Sequence, residues 1–366
     1  MEKKKTMTLY LPSELITEIL LRLPVKSLIC FKSVCKSWFT LISDPNFANS
    51  HFQLSESTQT TRSRILSISA IPSQIRSIDF QALLNDNHSV SPNPNLSLPQ
   101  SRFPLNIEGS CRGFIFLNCN SHNYIWNPST GFYKKLLLSP VKYNFSSYLY
   151  GFGYDRSKDD YLLVSLSYDD RRLLLDKSSH LEIFSIRDNT WKKLEDPPFR
   201  YKSGYNYPKL GLFFNGAIHW FLYRCDSSVN VIVTFDLMER KLLDMLLPDA
   251  FIPYLADFDL WVFGEFLSLC TMRDGIVEIW VMKEYKVHSS WTRTLIFYIG
   301  AIPYFSPIYS TKNGDIIGTI GGTGLVKYNG KGQLLGHCSY CEDPRRSQVI
   351  MYTESLLSLP DNKQEE

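Results

Sequence analysis

The stretch LPSELITEILLRLP at residues 11–24 decides how the chain divides, because it is an apolar helix set in front of a long sequence that reads as strands. Leu11, Leu15, Ile16, Ile19, Leu20 and Leu23 are spaced 4, 1, 3, 1 and 3 apart, one stripe on a helix of period 3.6. Ser13 is placed to cap that helix, Glu14 complements its positive end, and Pro24 stops it. A second stripe runs through Leu28, Phe31, Val34, Cys35, Trp38, Phe39 and Ile42, and Asp44-Pro45 is expected to end the helical region. A unit of roughly 40 residues buries its own apolar surface poorly, so either the rest of the chain or a partner must cover it. The polar run QLSESTQTTRS (53–63) reads as a linker and predicts that the module stands clear of the strand-rich remainder of the chain. A helical cap packed on the second domain is the competing reading.

Bulk properties narrow the classes. The 366 residues are 44% hydrophobic, 20% charged and 14% aromatic, a globular composition whose Tyr and Phe content leans toward strands. A net charge of +3 gives no field to attract nucleic acid or a membrane surface. No run of apolar residues is long enough to span a bilayer, and the start lacks a signal-peptide pattern, so the cytosol or nucleus is expected. The eight cysteines are scattered, as small core residues in a reducing compartment are. Cys338 and Cys341 form a C-x-x-C beside His337, but no second pair completes a metal site, and no metal is expected.

The segment LPSELITEILLRLPVKSLICFKSVCKSWFTLISDPNFANSHF (11–52) resembles an F-box, a three-helix module of substrate receptors in cullin-based ubiquitin ligases. The resemblance is carried by Leu11-Pro12, Ile19-Leu20, Leu23-Pro24, Ser27-Leu28, Val34-Cys35 and Trp38. It implies that the module binds a Skp-type adaptor and, through it, a cullin ligase. Carried onto this chain, the adaptor-binding residues would be Leu11, Pro12, Leu15, Ile16, Ile19, Leu20, Leu23, Pro24, Leu28, Val34, Cys35 and Trp38.

Beyond about Ser63 the pattern changes to short apolar or alternating runs broken by turn signals. Asn215-Gly216, Asp274-Gly275, Asn313-Gly314 and Asn329-Gly330 each supply the two positive-φ residues of a tight hairpin, so a meander of antiparallel hairpins is expected. A strand-turn-strand unit repeats with anchors at Phe80, Trp126, Phe184, Phe235, Trp280 and Tyr328, at intervals of 46, 58, 51, 45 and 48. A period near fifty suits β-propeller blades, six of them, closed by pairing SRILSIS (63–69) with SQVIMYTESLLSL (347–359). An all-β sandwich with coincidental spacing is the alternative. GSCRGFIFL (109–117), IWNPSTGFYKKL (125–136), YGFGYDRSKDDYLLVSL (150–166) and GLFFNGAIHWF (211–221) resemble the F-box-associated, kelch-like domain of plant F-box proteins, although the paired glycines of kelch blades are missing. The chain thus reads as a multidomain α plus all-β protein: an F-box over 9–52, a linker over 53–63, a β-propeller-like domain over 64–359 and a free tail over 360–366.

Catalytic signatures are lacking: there is no G-x-S-x-G, no H-E-x-x-H and no complete phosphate loop. GTIGGTG (318–324) lies between strands and reads as a hairpin, and His219 in AIHWF reads as a packed strand residue. No cofactor is expected. Aromatic segments enter several of the repeats, and Tyr143, Tyr148, Tyr205, Tyr207, Tyr254 and Tyr304 are candidates for a target-binding surface, the competing role being packing between blades. The expected function is non-catalytic: the substrate-recognition subunit of an SCF-type ubiquitin ligase, binding an adaptor at one end and an unidentified target protein at the other. A carbohydrate-binding or oxidase-type propeller with an incidental helical cap, or a non-degradative F-box scaffold, are the rival readings.

Overall fold

The computed structural model describes residues 11–57, 63–70, 73–79, 96, 104–119, 122–140, 146–169, 179–203, 210–251, 257–300, 305–320, 324–339 and 347–360. The chain opens with helices α1 (Ser13–Leu21), α2 (Val25–Phe31), α3 (Lys36–Ser43) and α4 (Pro45–Ser57). That is one helix more than the sequence pattern predicts. Asp44-Pro45 does end α3, but it also starts α4. The Asp44 carboxylate accepts from the amides of Asn46 (2.7 Å) and Phe47 (3.2 Å), and Pro45 takes the first helical position, where its missing N–H costs nothing. Helix α4 therefore runs through residues 53–57 of the expected linker. Ser13 is already helical, and its hydroxyl turns to Glu14 rather than capping the backbone.

Apart from one 3-10 turn (His288–Ser290), the remaining elements among the described residues are strands in six successive antiparallel groups, the third and fourth of which are joined by a parallel strand pair into one nine-stranded sheet. In chain order they are β1 (Ser63–Ala70) and β2 (Ser73–Asp79); β3 (Asn106–Cys111), β4 (Phe114–Cys119), β5 (His122–Trp126) and β6 (Tyr133–Leu136); β7 (Ser146–Asp155), β8 (Asp160–Asp169), β9 (Ser179–Ser185) and β10 (Thr190–Lys193). A short β11 (Tyr201–Lys202) precedes β12 (Leu210–Phe214), β13 (Ala217–Arg224), β14 (Val229–Asp236) and β15 (Lys241–Leu246). Next come β16 (Asp257–Phe263), β17 (Phe266–Arg273), β18 (Ile276–Met282) and β19 (Trp291–Tyr298); β20 (Phe305–Ser310), β21 (Ile316–Ile320), β22 (Gly324–Tyr328) and β23 (Leu334–Ser339); and finally β24 (Ser347–Thr353). The last strand returns to the first group, giving the order β2-β1-β24, with Ser63 opposite Thr353. The two chain segments expected to close the ring do pair.

Five of the six repeat anchors occupy equivalent places. Trp126, Phe184, Phe235, Trp280 and Tyr328 all lie on the third strand of their group, while Phe80 falls outside the described residues. Central strands such as Ala217–Arg224 are buried along most of their length, because neighbouring groups cover both faces; this is why they read as apolar runs rather than alternating ones. Buried clusters fill each successive gap. Leu66 and Tyr352 meet Ile115 and Trp126, Phe116 meets Phe152, Leu162 meets Trp220, Phe221 meets Phe258, Val281 meets Phe305, and Ile317 meets Ile65. The sixth cluster joins the last group to the first, so the sheets curl into a propeller-like ring.

The turn signals divide. Asn215-Gly216 (φ 49° and 75°) and Asp274-Gly275 (φ 51° and 77°) are tight turns with both residues left-handed. Asn313-Gly314 and Asn329-Gly330 instead lie in five-residue loops, closed by Thr311 N to Asp315 O (2.8 Å) and Asn329 N to Gln333 O (3.0 Å). There Gly314 and Gly332 take the positive φ, and neither asparagine does.

Candidate functional site

Within each four-strand meander the first and third turns share one end of the sheet, and the middle turn and the exit share the other. Gly113, at the β3–β4 turn, lies against Thr353 and Ser355, so the chain enters and leaves the β domain at the end bearing those first turns. The helical module sits at this end. Arg112 Nη2, at the same turn, donates to Asn49 Oδ1 of α4 (3.2 Å), and the guanidinium lies 5.0 Å from the Phe52 ring and 4.0 Å from the Tyr154 ring. Leu20, Val25, Leu28, Ile42, Phe47 and Phe52 belong to one buried cluster with Phe114, Tyr161 and Leu356–Leu357. The expectation that the module stands clear of the β domain is therefore corrected: its own apolar residues are too few to close a core, and the β domain completes it.

Docking uses only one side of α1. Ile16, Leu20 and Leu23 face inward, with Leu20 1% exposed, while Leu11, Leu15 and Ile19 are 54%, 51% and 52% exposed at a spacing of four. Val34, 59% exposed, and Cys35, also exposed, lie between α2 and α3, and Pro12 and Pro24 are exposed beside α1. Trp38 is half-buried against Phe31, ring centroids 5.5 Å apart. Leu20 and Leu28 (0% exposed), both in the expected adaptor-binding set, lie in the core, where they hold α1 and α2 in place. Sequence reasoning left out Ile29, Cys30 and Phe39, all exposed, Phe39 by 55%. Phe39 belongs to the second stripe, so the signal for it was present. The Cys35 thiol is held below its ordinary pKa by the Ser37 hydroxyl (3.1 Å) and by the first amides of α3.

At the opposite end of the β domain lie the starts of β7, β12, β16 and β20, where the aromatic segments enter. Of the six candidate tyrosines only Tyr148 is described; it is half-buried and stacks on Tyr150 at 6.1 Å and 7°. Tyr143, Tyr205, Tyr207, Tyr254 and Tyr304 lie outside the described residues.

His219 is fully buried, its ring between the Leu212 carbonyl (3.2 Å) and the Tyr285 hydroxyl (2.8 Å), and burial pushes its pKa down to about 4. A cleft of about 380 Å³ opens beside Arg112, Tyr154, Phe213 and Met238; its acidic wall residues Asp155 and Asp236 are already paired, with Arg240 at 2.6 Å and Lys286 at 3.8 Å. Among the described residues no three metal-ligating side chains cluster, and no helix is long and apolar enough to cross a membrane.

Comparison with known proteins agrees with this division. Residues 9–50 match the F-box domain, and residues 59–313 match the F-box associated beta propeller domain. The chain is 28% identical to the F-box/kelch-repeat protein At3g23880 of Arabidopsis thaliana over 87% of each chain. It is 27% identical to the F-box protein CPR1 of the same plant, over 95% of this chain and 88% of the relative, and 30% identical to the F-box protein At5g49610 over 76% of each. The word kelch occurs in one of these names, whereas the matched domain model is the F-box-associated propeller; a kelch likeness of the β domain is not shown. The chain belongs to the family of F-box proteins that carry an F-box-associated β-propeller domain.

Proposed function

We propose that this chain is the substrate receptor of an SCF-type ubiquitin ligase, acting in the cytosol or nucleus and performing no bond chemistry of its own. The observation that carries the reading is the two-sided helix α1. Its inner stripe anchors the module, and its outer stripe of Leu11, Leu15 and Ile19 is left to solvent, as are Val34 and Phe39 of the same module. Fully covering a side chain of this size stabilises a complex by roughly 1.5–3 kcal/mol, so a few such anchors suffice for adaptor capture. A ring of six blades then presents a target protein on the face away from the module. Held in the same complex, target lysines experience a high effective concentration of the charged conjugating enzyme.

The test is a pull-down with a Skp-type adaptor from plant extract, comparing the wild type with Leu11→Ala/Pro12→Ala, residues that are exposed and so removable without loss of fold. Adaptor should copurify with the wild type alone, and proteins retained by both forms are target candidates. Equal adaptor capture by both forms, or by neither, contradicts the assignment.

A further inference from the structure

The joint between helices and ring is built from three distant parts of the chain. The first is α4, whose His51 and Phe52 are 0% and 3% exposed. The second is the β3–β4 hairpin tip, where Arg112 and Gly113 both take positive φ (50° and 84°) and aim the guanidinium at Asn49 and the Phe52 ring. The third is the segment after β24. Asn127, fully buried in the turn after β5, donates to the carbonyls of Ser355 (3.0 Å) and Leu357 (3.4 Å), and Ser129 Oγ accepts from the Ser355 amide (3.2 Å). So fixed, Leu356, Leu357 and Leu359 enter the same buried cluster as the helices. Any side chain at Gly113 would sit 2.2 Å from Ser355 Cβ, so hairpin tip and strap are fitted to each other.

A flexible tether would need none of this. An Arg between two aromatic rings of different domains fixes angle as well as distance, because the planar guanidinium stacks and donates in one geometry. We propose that Arg112, locked by the strap Ser355–Leu359, is a positioning residue that holds the adaptor-binding face at one orientation to the far face of the ring. Its functional meaning rests on the adaptor-binding reading above. The ligase would then deliver its target at a set place, with the orientation encoded by residues that touch neither adaptor nor target.

The test is hydrogen exchange and small-angle scattering on the full chain, wild type beside Arg112→Asn, Arg112→Lys and a truncation after Glu354. Asn tolerates the left-handed backbone at 112, so the hairpin turn survives. In Arg112→Asn and in the truncated chain, α4 amides should exchange about tenfold faster or more, with β13 and β14 unchanged and with scattering that requires a spread of orientations. Arg112→Lys, which keeps a cation between the rings, should recover part of the protection. Unchanged α4 exchange in both disruptive variants overturns the proposal, and so does an equal loss of protection in β13 and β14, which would make the joint a general stability element. Adaptor capture on the same samples is a separate arm. Its absence in wild type removes the ligase reading and leaves the joint standing. Its retention by Arg112→Asn supports positioning, and its loss there would make Arg112 a binding residue and overturn the proposal.

Discussion

Two side chains one position apart, Leu15 and Ile16, point to opposite fates: Leu15 is 51% exposed and Ile16 packs against the core. The periodicity of residues 11–24 shows that both are on a helix. It cannot show which side is covered, because an apolar stripe this wide suits a core or a partner equally. The resemblance, not the periodicity, put Leu20 and Leu28 in the adaptor-binding set, and both are buried. His219 was legible as a packed strand residue, and its burial has a measurable consequence. With its pKa lowered to about 4 from the ordinary 6.5, the folded state binds fewer protons than the unfolded chain between those values. Stability contributed by the neutral ring is complete above pH 6.5 and is lost as pH falls toward 4, by roughly 3 kcal/mol in all. Urea unfolding at pH 7 and pH 5 should show a steeper loss for wild type than for His219→Gln. Parallel losses would mean that the imidazole charges without penalty.

At the scale of elements, the sequence was most readable where local chemistry dictates geometry. Asn215-Gly216 and Asp274-Gly275 form the tight turns expected, since both residues must adopt positive φ. Asn313-Gly314 and Asn329-Gly330 sit in longer loops, where the strand ends are held apart by five residues and only one glycine is bent. Asp44-Pro45 had two lawful readings, an end or a beginning, and it is both. The glycines of YGFGYD carried a meaning that no local rule supplies. Gly151 pairs with Gly211 where β7 and β12 run parallel, and a Cβ at 151 would lie 2.3 Å from Ile218 Cγ2. Gly151→Ala should therefore overpack the contact between the third and fourth groups and cost about 1–3 kcal/mol. Chemical denaturation of the purified chain reads this directly, and a change below about 0.5 kcal/mol, the range of an ordinary surface substitution, would show that the innermost strands can part.

For the molecule as a whole, repetition made the ring legible. The fifty-residue period placed five anchors on equivalent strands, and the pairing of residues 63–69 with the last strand came from the need to leave no open edge. The docking of the helices was not legible. It depends on Asn49, Phe52, Arg112 and Leu356–Leu357, the outermost of which are more than three hundred positions apart, and no periodicity or turn rule links them. The polar run after residue 52 suggested separation, whereas its first five residues extend α4. The proposed target surface draws on connections whose sequence reveals composition and not shape, and of the six candidate tyrosines only Tyr148 has a described position. The function of the whole molecule turns on the outer stripe of α1 being an adaptor-binding face. Calorimetric titration of the full chain with a purified Skp-type adaptor tests this most directly, with wild type beside Leu15→Ala/Ile19→Ala. Both residues are exposed, so the double variant should unfold within about 0.5 kcal/mol of wild type while its adaptor affinity falls by a factor of roughly thirty or more. Unaltered affinity in a folded double variant would contradict the claim and return α1 to the role of a cap on the ring.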